Sequence, residues 1–262
     1  MVYLIAQYYK IKYEATGVKD RQKEIDSCFL YNLENSNIEE VHWLVESEED
    51  IDYYRSKNFN LNISKLKIFM INKRITYQEV FKYANQNLEG KNCIYLHADM
   101  ELDRNFPVVQ EKSLLQHVYM FTPCDKKKCK NQRNCGCTRS FKIDGNYYGC
   151  TFDGIMFQSP MKSEVVDKVD HIVHLMGAEN RLIYYLNQAG YIVRSANLDY
   201  RAYHHHDIKV FHNLHSKWVD LKGELKPLEY YQEIHKKQKN KPNEEKIVGG
   251  GVPFMEGIVK FI

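Results

Sequence analysis

Apolar positions in the first hundred residues change period several times, and each change marks an element. Residues 2–6 form an unbroken apolar run, which reads as a short buried strand. From Asp20, which stands where a helix cap belongs, Ile25, Cys28, Phe29 and Leu33 recur at helical spacing. Strand character returns over residues 40–45, and Ser47 with Asp50 behind it opens a short helix through Tyr54. Residues 66–71 read as strand again. Thr76 and Glu79 then make a capping box ahead of the stripe Val80, Phe81, Ala84 and Leu88, with Gly90 as the stop. A fourth apolar run follows at residues 93–96. Strands and helices in alternation predict a parallel sheet with right-handed crossovers, whose ligands lie beyond the carboxyl ends of the strands.

The rhythm then loosens. Residues 117–122 read as a strand and 147–157 as strand-like apolar stretches, with a polar loop at 123–138 between them. A helix over 179–189 turns Leu182, Ile183 and Leu186 inward and ends at Gly190. Residues 191–193 and 198–203 are strand-like and run into His204, His205 and His206. Beyond residue 221 the chain becomes polar and Lys-rich, which predicts one domain over 1–235 and a linker and tail over 236–262.

Composition narrows the class without naming a chemistry. With 44% hydrophobic and 13% aromatic residues in 262, the chain can bury a substantial core. Its 37 Lys and Arg against 34 Asp and Glu leave a formal charge of +3, too balanced to announce a nucleic-acid binder by field alone. The first ten residues lack a basic n-region and a cleavage site, and no run approaches the length of a membrane span, so a cytoplasmic protein is expected. Seven cysteines, an odd number, fit free thiols or metal better than a disulfide framework.

Candidate chemistry starts at residues 91–103, KNCIYLHADMELD, where an apolar strand runs directly into Asp99, Glu101 and Asp103. If extended backbone continues, the three carboxylates share a face, an oxygen set suited to Mg²⁺ or Mn²⁺. His204 and His206 share a face in the same way and could add an imidazole, a mixture that Mn²⁺ tolerates better. Cys124, Cys129, Cys135 and Cys137 lie within fourteen residues among several lysines. Four thiolates there could hold a structural Zn²⁺, could form disulfides, or could stay reduced.

The order of these features resembles the GT-A glycosyltransferases: an N-terminal βαβαβαβ half, acids leaving the fourth strand, Asp153 in FDGIMF, a helix opened by GAENR, and a His-x-His strand end. More narrowly, the chain is similar to a glycosyltransferase-like family of large DNA viruses and some microbes. That family's N-S-D-x-x-x-D pattern is matched by residues 97–103, with His97 and Ala98 in place of the polar pair. The resemblance implies an α/β, GT-A-like (Rossmann-like) fold with a mixed, mainly parallel sheet flanked by helices, divided into a nucleotide-binding half (1–103) and an acceptor half (104–235). It further implies sugar transfer from a UDP- or GDP-sugar to a glycan or protein acceptor, with Mn²⁺ or Mg²⁺ on Asp99, Glu101 and Asp103, and a viral member would work in the host cytoplasm. Arg21, Arg74, Tyr77, Asn85 and Asp99 would then belong to the nucleotide pocket, and Glu179 would serve as the base of an inverting transfer, with Asp153 as its rival or as an orienting residue. A reading of another class also stands: a zinc-stapled basic loop on an α/β scaffold that contacts nucleic acid.

Overall fold

The computed structural model describes residues 1–12, 17–59, 63–109, 114–121, 124, 141–143, 146–148, 152–173, 175, 177–196, 200–205, 217–219 and 225–227. The elements run β1 (Val2–Ala6), α1 (Val18–Glu34), β2 (Ile38–Val45), α2 (Glu48–Ser56), β3 (Leu66–Met70), α3 (Tyr77–Asn87), β4 (Asn92–Leu96), β5 (Met100–Leu102) and β6 (His117–Met120). They continue with β7 (Phe141–Ile143), β8 (Asn146–Tyr148), β9 (Gly154–Gln158), α4 (Ser163–Val166), α5 (Ala178–Gln188), β10 (Ile192–Ser195), β11 (Ala202–His204), β12 (Lys217–Val219) and β13 (Leu225–Pro227).

Seven strands form one sheet in the order β10-β6-β9-β4-β1-β2-β3. All its pairings are parallel except those of β9, which runs against both β4 and β6. The expected α/β class, with a mixed and mainly parallel sheet flanked by helices, is therefore what the chain adopts.

Both faces of the sheet are covered at its central strands, which is why β1 and β4 read as continuous apolar runs, while the edge strand β3 is largely exposed. In β4, Cys93 and Tyr95 face the core shared with α3, α4 and α5, while Ile94 and Leu96 face the one shared with α1 and α2. Ile25, Cys28, Phe29 and Leu33 of α1 are all buried, as their spacing requires. Thr76 caps α3 as expected, its hydroxyl accepting the backbone N–H of Glu79. Among the described residues no helix is long and apolar enough to cross a membrane.

Five local expectations are corrected. Helix α1 begins at Val18 behind Gly17, whose φ of 85° only glycine adopts freely, so Asp20 lies in the first turn instead of at the cap. Gly90 does not close α3, which ends at Asn87; with φ 73° it turns the chain into β4. The stretch 147–157 is divided between β8 and β9, and the strand foreseen over 198–203 shrinks to β11. The strand through residues 93–103 also breaks: β4 stops at Leu96, the chain turns at Ala98–Asp99, and β5 joins β11 in a separate two-stranded antiparallel sheet. Asp99, Glu101 and Asp103 therefore do not project together.

Candidate functional site

The turn after β4 sets Asp99 at the carboxyl edge of the sheet, and the β5–β11 pairing brings His204 to it. His204 Nε2 lies 2.8 Å from Asp99 Oδ2 and 3.8 Å from Asp153 Oδ2. The local backbone is tied down from several sides. His205 N–H donates to the Asp99 carbonyl at 2.9 Å, and His204 N–H donates to the Cys124 carbonyl at 2.9 Å. On its other side β5 is held by a side chain: the Asn32 amide donates to Met100 O at 2.9 Å and accepts from Leu102 N–H at 2.9 Å. A buried asparagine of α1 thus takes the place of a neighbouring strand.

Arg21, in the first turn of α1, completes the cluster. Its guanidinium donates to Asp99 Oδ2, to Glu24 at 2.7 Å and to the His205 carbonyl at 2.5 Å. Burial alone would raise the Asp99 pKa, but the charges and hydrogen bonds of His204 and Arg21 overcome it and hold the carboxyl well below its usual range. Burial works against the charged form of His204 too, yet Asp99 and then Asp153 outweigh it and push the imidazole up to about 9. His97 is the opposite case, since its burial dominates the attraction of Asp153 and Asp99 and lowers its pKa.

Asp153 directly precedes β9, whose antiparallel course returns it to the edge where β4 ends. Its carbonyl accepts from His97 N–H and its own N–H donates to Phe121 O, both at 2.9 Å. The next residue has to be glycine: a Cβ at Gly154 would lie 2.6 Å from Leu96 Cδ2 and 2.7 Å from Tyr95 O. Glu179 stands in the first turn of α5, where burial first and the charge of Asp153 next raise its pKa well above the carboxylate range, against the pull of its own backbone N–H.

The other predicted residues are placed as follows. Glu101 is buried and pairs with His205 at 3.0 Å, a histidine that nothing in the local pattern sets apart from its neighbours. Asp103 accepts from the Tyr203 hydroxyl at 2.8 Å. Glu101 thus reaches the Asp99 turn through the backbone of His205, whose N–H donates to Asp99 O, and Asp103 is engaged by Tyr203 of β11. His206, Cys129, Cys135 and Cys137 lie outside the described residues, as does the tail over 236–262. Cys124 is disulfide-bonded, so its sulfur is not the thiolate a zinc site needs, and the expected four-thiolate centre is corrected at that position. Among the described residues no group of three or more His, Cys, Asp or Glu side chains is disposed to hold a metal ion. Asp99 and His204 offer an oxygen and an imidazole of the right chemistry, but Arg21 and the His204 proton now supply the positive charge at Asp99.

A cavity of about 310 Å³ opens along the same edge, beyond β1, β2 and β3. Tyr9, Lys10 and Lys12 line it from the β1 side, Glu46, Ser47 and Asp50 from the β2 side, and Lys73 and Arg74 from the β3 side. Glu46 anchors its floor, accepting from Gln7 Nε2 at 2.9 Å, Ile75 N–H at 3.1 Å and Arg74 at 3.3 Å. Of the residues foreseen for a nucleotide pocket, only Arg74 is here. Tyr77 is fully buried in the core, and Asn85 holds the turn before α4, donating to Met161 O at 2.8 Å and accepting from Met161 N–H at 2.7 Å. The three lysines were missed because each is isolated in sequence and looks like ordinary surface charge.

No family model matches the sequence, and no curated protein matches it. Among solved structures the fold is similar to HddC from Yersinia pseudotuberculosis, over 65% of this chain and 81% of that one, at 14% identity and a TM-score of 0.38. The same protein complexed with GMP-PN gives 14% identity over the same shares and a TM-score of 0.37. A 4-diphosphocytidyl-2C-methyl-D-erythritol synthase is similar over 74% of this chain and 88% of its own, at 7% identity and a TM-score of 0.37.

Proposed function

We propose that the protein is a glycosyltransferase that moves a sugar from a UDP- or GDP-sugar to a glycan or protein acceptor, with inversion at the anomeric carbon. The observation that carries this reading is the meeting of Asp99 and His204 beside Asp153 at the carboxyl edge of the sheet. The cavity along that edge supports it. Lys10, Lys12, Lys73 and Arg74 line the cavity, and the phosphates of a nucleotide would take the place of Glu49 at Lys12, Glu79 at Lys73 and Glu46 at Arg74, while Tyr9 offers a ring to a base.

In this reading Asp99 would hold a divalent cation, Mn²⁺ or Mg²⁺, and His204 would join it on giving up the proton it shares with Asp99. Such an ion supplies Lewis acidity towards the negative charge that develops on a departing nucleoside diphosphate. Arg21 holds Asp99 in place and in its ionised form. Asp153, clamped between β4 and β6, orients the donor sugar. Glu179 accepts the proton of the acceptor hydroxyl as that oxygen attacks, and burial, which raises its pKa, makes its carboxylate a stronger proton acceptor than an exposed one.

Two measurements test the proposal together. Thermal melting with Mn²⁺ plus UDP or GDP should show stabilisation, because a ligand of the native state alone must raise the midpoint. A screen of nucleotide sugars for hydrolysis should then identify the donor. No stabilisation and no hydrolysis across the set would end the proposal.

A further inference from the structure

Helix α5 has to carry Glu179 to the rim of the site, yet its first turn has no side-chain cap: the cap position is Gly177, with φ 85°. The hold comes from His171, seven residues before Ala178. Its Nε2 lies 2.9 Å from the Ala178 carbonyl and its Nδ1 lies 3.0 Å from Arg181 Nη1. A guanidinium has only donors, so Nδ1 must accept, and the single ring proton sits on Nε2 and donates to Ala178 O. The ring is neutral and in one tautomer. It grips the helix on either side of Glu179, one residue before it and two after.

His171 is itself fixed to the opposite side of the site. The next residue, Ile172, bridges Thr76 at the cap of α3, and Val173 N–H donates to Ile75 O at 3.4 Å. Gln78 N–H donates to Val169 O at 2.9 Å, and the Tyr77 ring packs 5.7 Å from the imidazole. Ile75 in turn donates its N–H to Glu46 on the cavity floor. Arg181, almost fully buried, has its charge met by Asp170 at 3.1 Å. A continuous hydrogen-bonded frame therefore runs from the cavity through the start of α3 to the start of α5.

We propose that His171 is a positioning residue for Glu179, a neutral strut that fixes the first turn of α5 against the start of α3. This rests on the reading of Glu179 as the base. His171 touches no substrate, so its loss acts on turnover and spares donor binding.

Two variants of the full chain separate its contacts. His171→Gln keeps a donor where Nε2 reaches Ala178 O, while His171→Asn keeps only an acceptor near Nδ1 and releases the carbonyl. For Mn²⁺-supported transfer, His171→Asn should lower kcat about 10-fold or more, as a displaced catalytic group does, with the KM for the nucleotide sugar within about twofold, and His171→Gln should restore most of the loss. A second readout needs no activity: the carboxyl titration of Glu179, followed by carbon NMR in the unliganded protein, should shift towards the ordinary range in His171→Asn and stay in place in His171→Gln. A lower melting temperature with unchanged kcat and an unmoved Glu179 titration would overturn the proposal. If the parent turns over no nucleotide sugar, the functional reading fails, and the Glu179 titration still decides whether His171 positions it.

Discussion

Asp99 Oδ2 and His204 Nε2 meet at 2.8 Å although 105 residues separate them in the chain. The contact exists because β11 pairs with β5 in the register that sets His204 opposite Met100, next to the turn that carries Asp99. Asp99→Asn keeps the shape and removes the charge. Arg21 still has Glu24 and the His205 carbonyl, so the fold should survive at a cost of about 1–3 kcal/mol. Melting curves with Mn²⁺ and UDP or GDP should lose the ligand-dependent rise that the parent shows. A variant stabilised like the parent would remove Asp99 from the metal and donor site.

Glu179→Gln removes the proposed base while keeping a side chain of the same size. Turnover should fall roughly 10²-fold, the usual effect of a lost general base, with donor affinity little changed. Anomeric analysis of the product checks the same assignment from another side. Retention of the donor's configuration would leave no place for Glu179 as base.

The parallel half of the fold could be read in the sequence because its signals are local. β1 and β4 are apolar runs, β2 and β3 are rich in strand formers around a few polar residues, and α1 and α3 show buried stripes at helical spacing, with Thr76 a true cap. The candidate site was only half legible. The alternation of residues 99–103 looks like a strand that simply continues, and what redirects it is the pairing with Ala202–His204 and the amide of Asn32, both far away in sequence. His171 showed no signal, since a single histidine in a loop has no period and its role comes from the elements it bridges. The cationic cavity draws its charges from three separate loops, so no window of sequence contains it.

Cysteine chemistry offers a check on the loop whose thiols could hold zinc, form disulfides or stay reduced. Cys28 and Cys93 are buried free thiols, and burial pushes the Cys93 thiol up to about 12, so neither should react with iodoacetamide until the protein unfolds. Of the seven cysteines, removing Cys28, Cys93 and Cys124 leaves Cys129, Cys135, Cys137 and Cys150 as partners for Cys124. Peptide mapping without reduction should find Cys124 linked to one of these four. Finding Cys124 alkylated in the native, unreduced protein would contradict the disulfide.

Gly154 tests how tightly β9 sets Asp153. Alanine there brings a methyl within 2.7 Å of the Tyr95 carbonyl, a backbone atom that cannot move without distorting β4. Gly154→Ala should destabilise by about 1–3 kcal/mol, the usual effect of overpacking a core, and show a lower urea midpoint. Because the displaced strand begins next to Asp153, turnover should fall even at temperatures where the variant is fully folded. Parental stability would mean that the two strands separate more easily than their contact implies.

The buried strut at His171 also makes stability depend on pH. Burial first and the neighbouring Arg181 charge next lower its pKa from 6.5 to about 4 in the folded protein, because protonating Nδ1 would set one donor against another. The unfolded chain keeps the ordinary value, so between those limits it binds a proton that the native state refuses. The stabilisation is complete above about pH 6.5 and is lost as the pH falls towards 4, by up to roughly 3 kcal/mol at 1.4 kcal/mol per pH unit. Arg181 stays charged throughout, and its partner Asp170 is largely exposed, so the acid limb from this cluster should belong mainly to His171. Urea denaturation of the parent and of His171→Gln at intervals from pH 7 to 4 measures it. The difference in stability between them should narrow as the pH falls, since glutamine takes up no proton on unfolding. Parallel curves over the whole range would show that His171 titrates alike in the folded and unfolded chain, and that the donor-only environment around Nδ1 is not what the packing of α5 imposes.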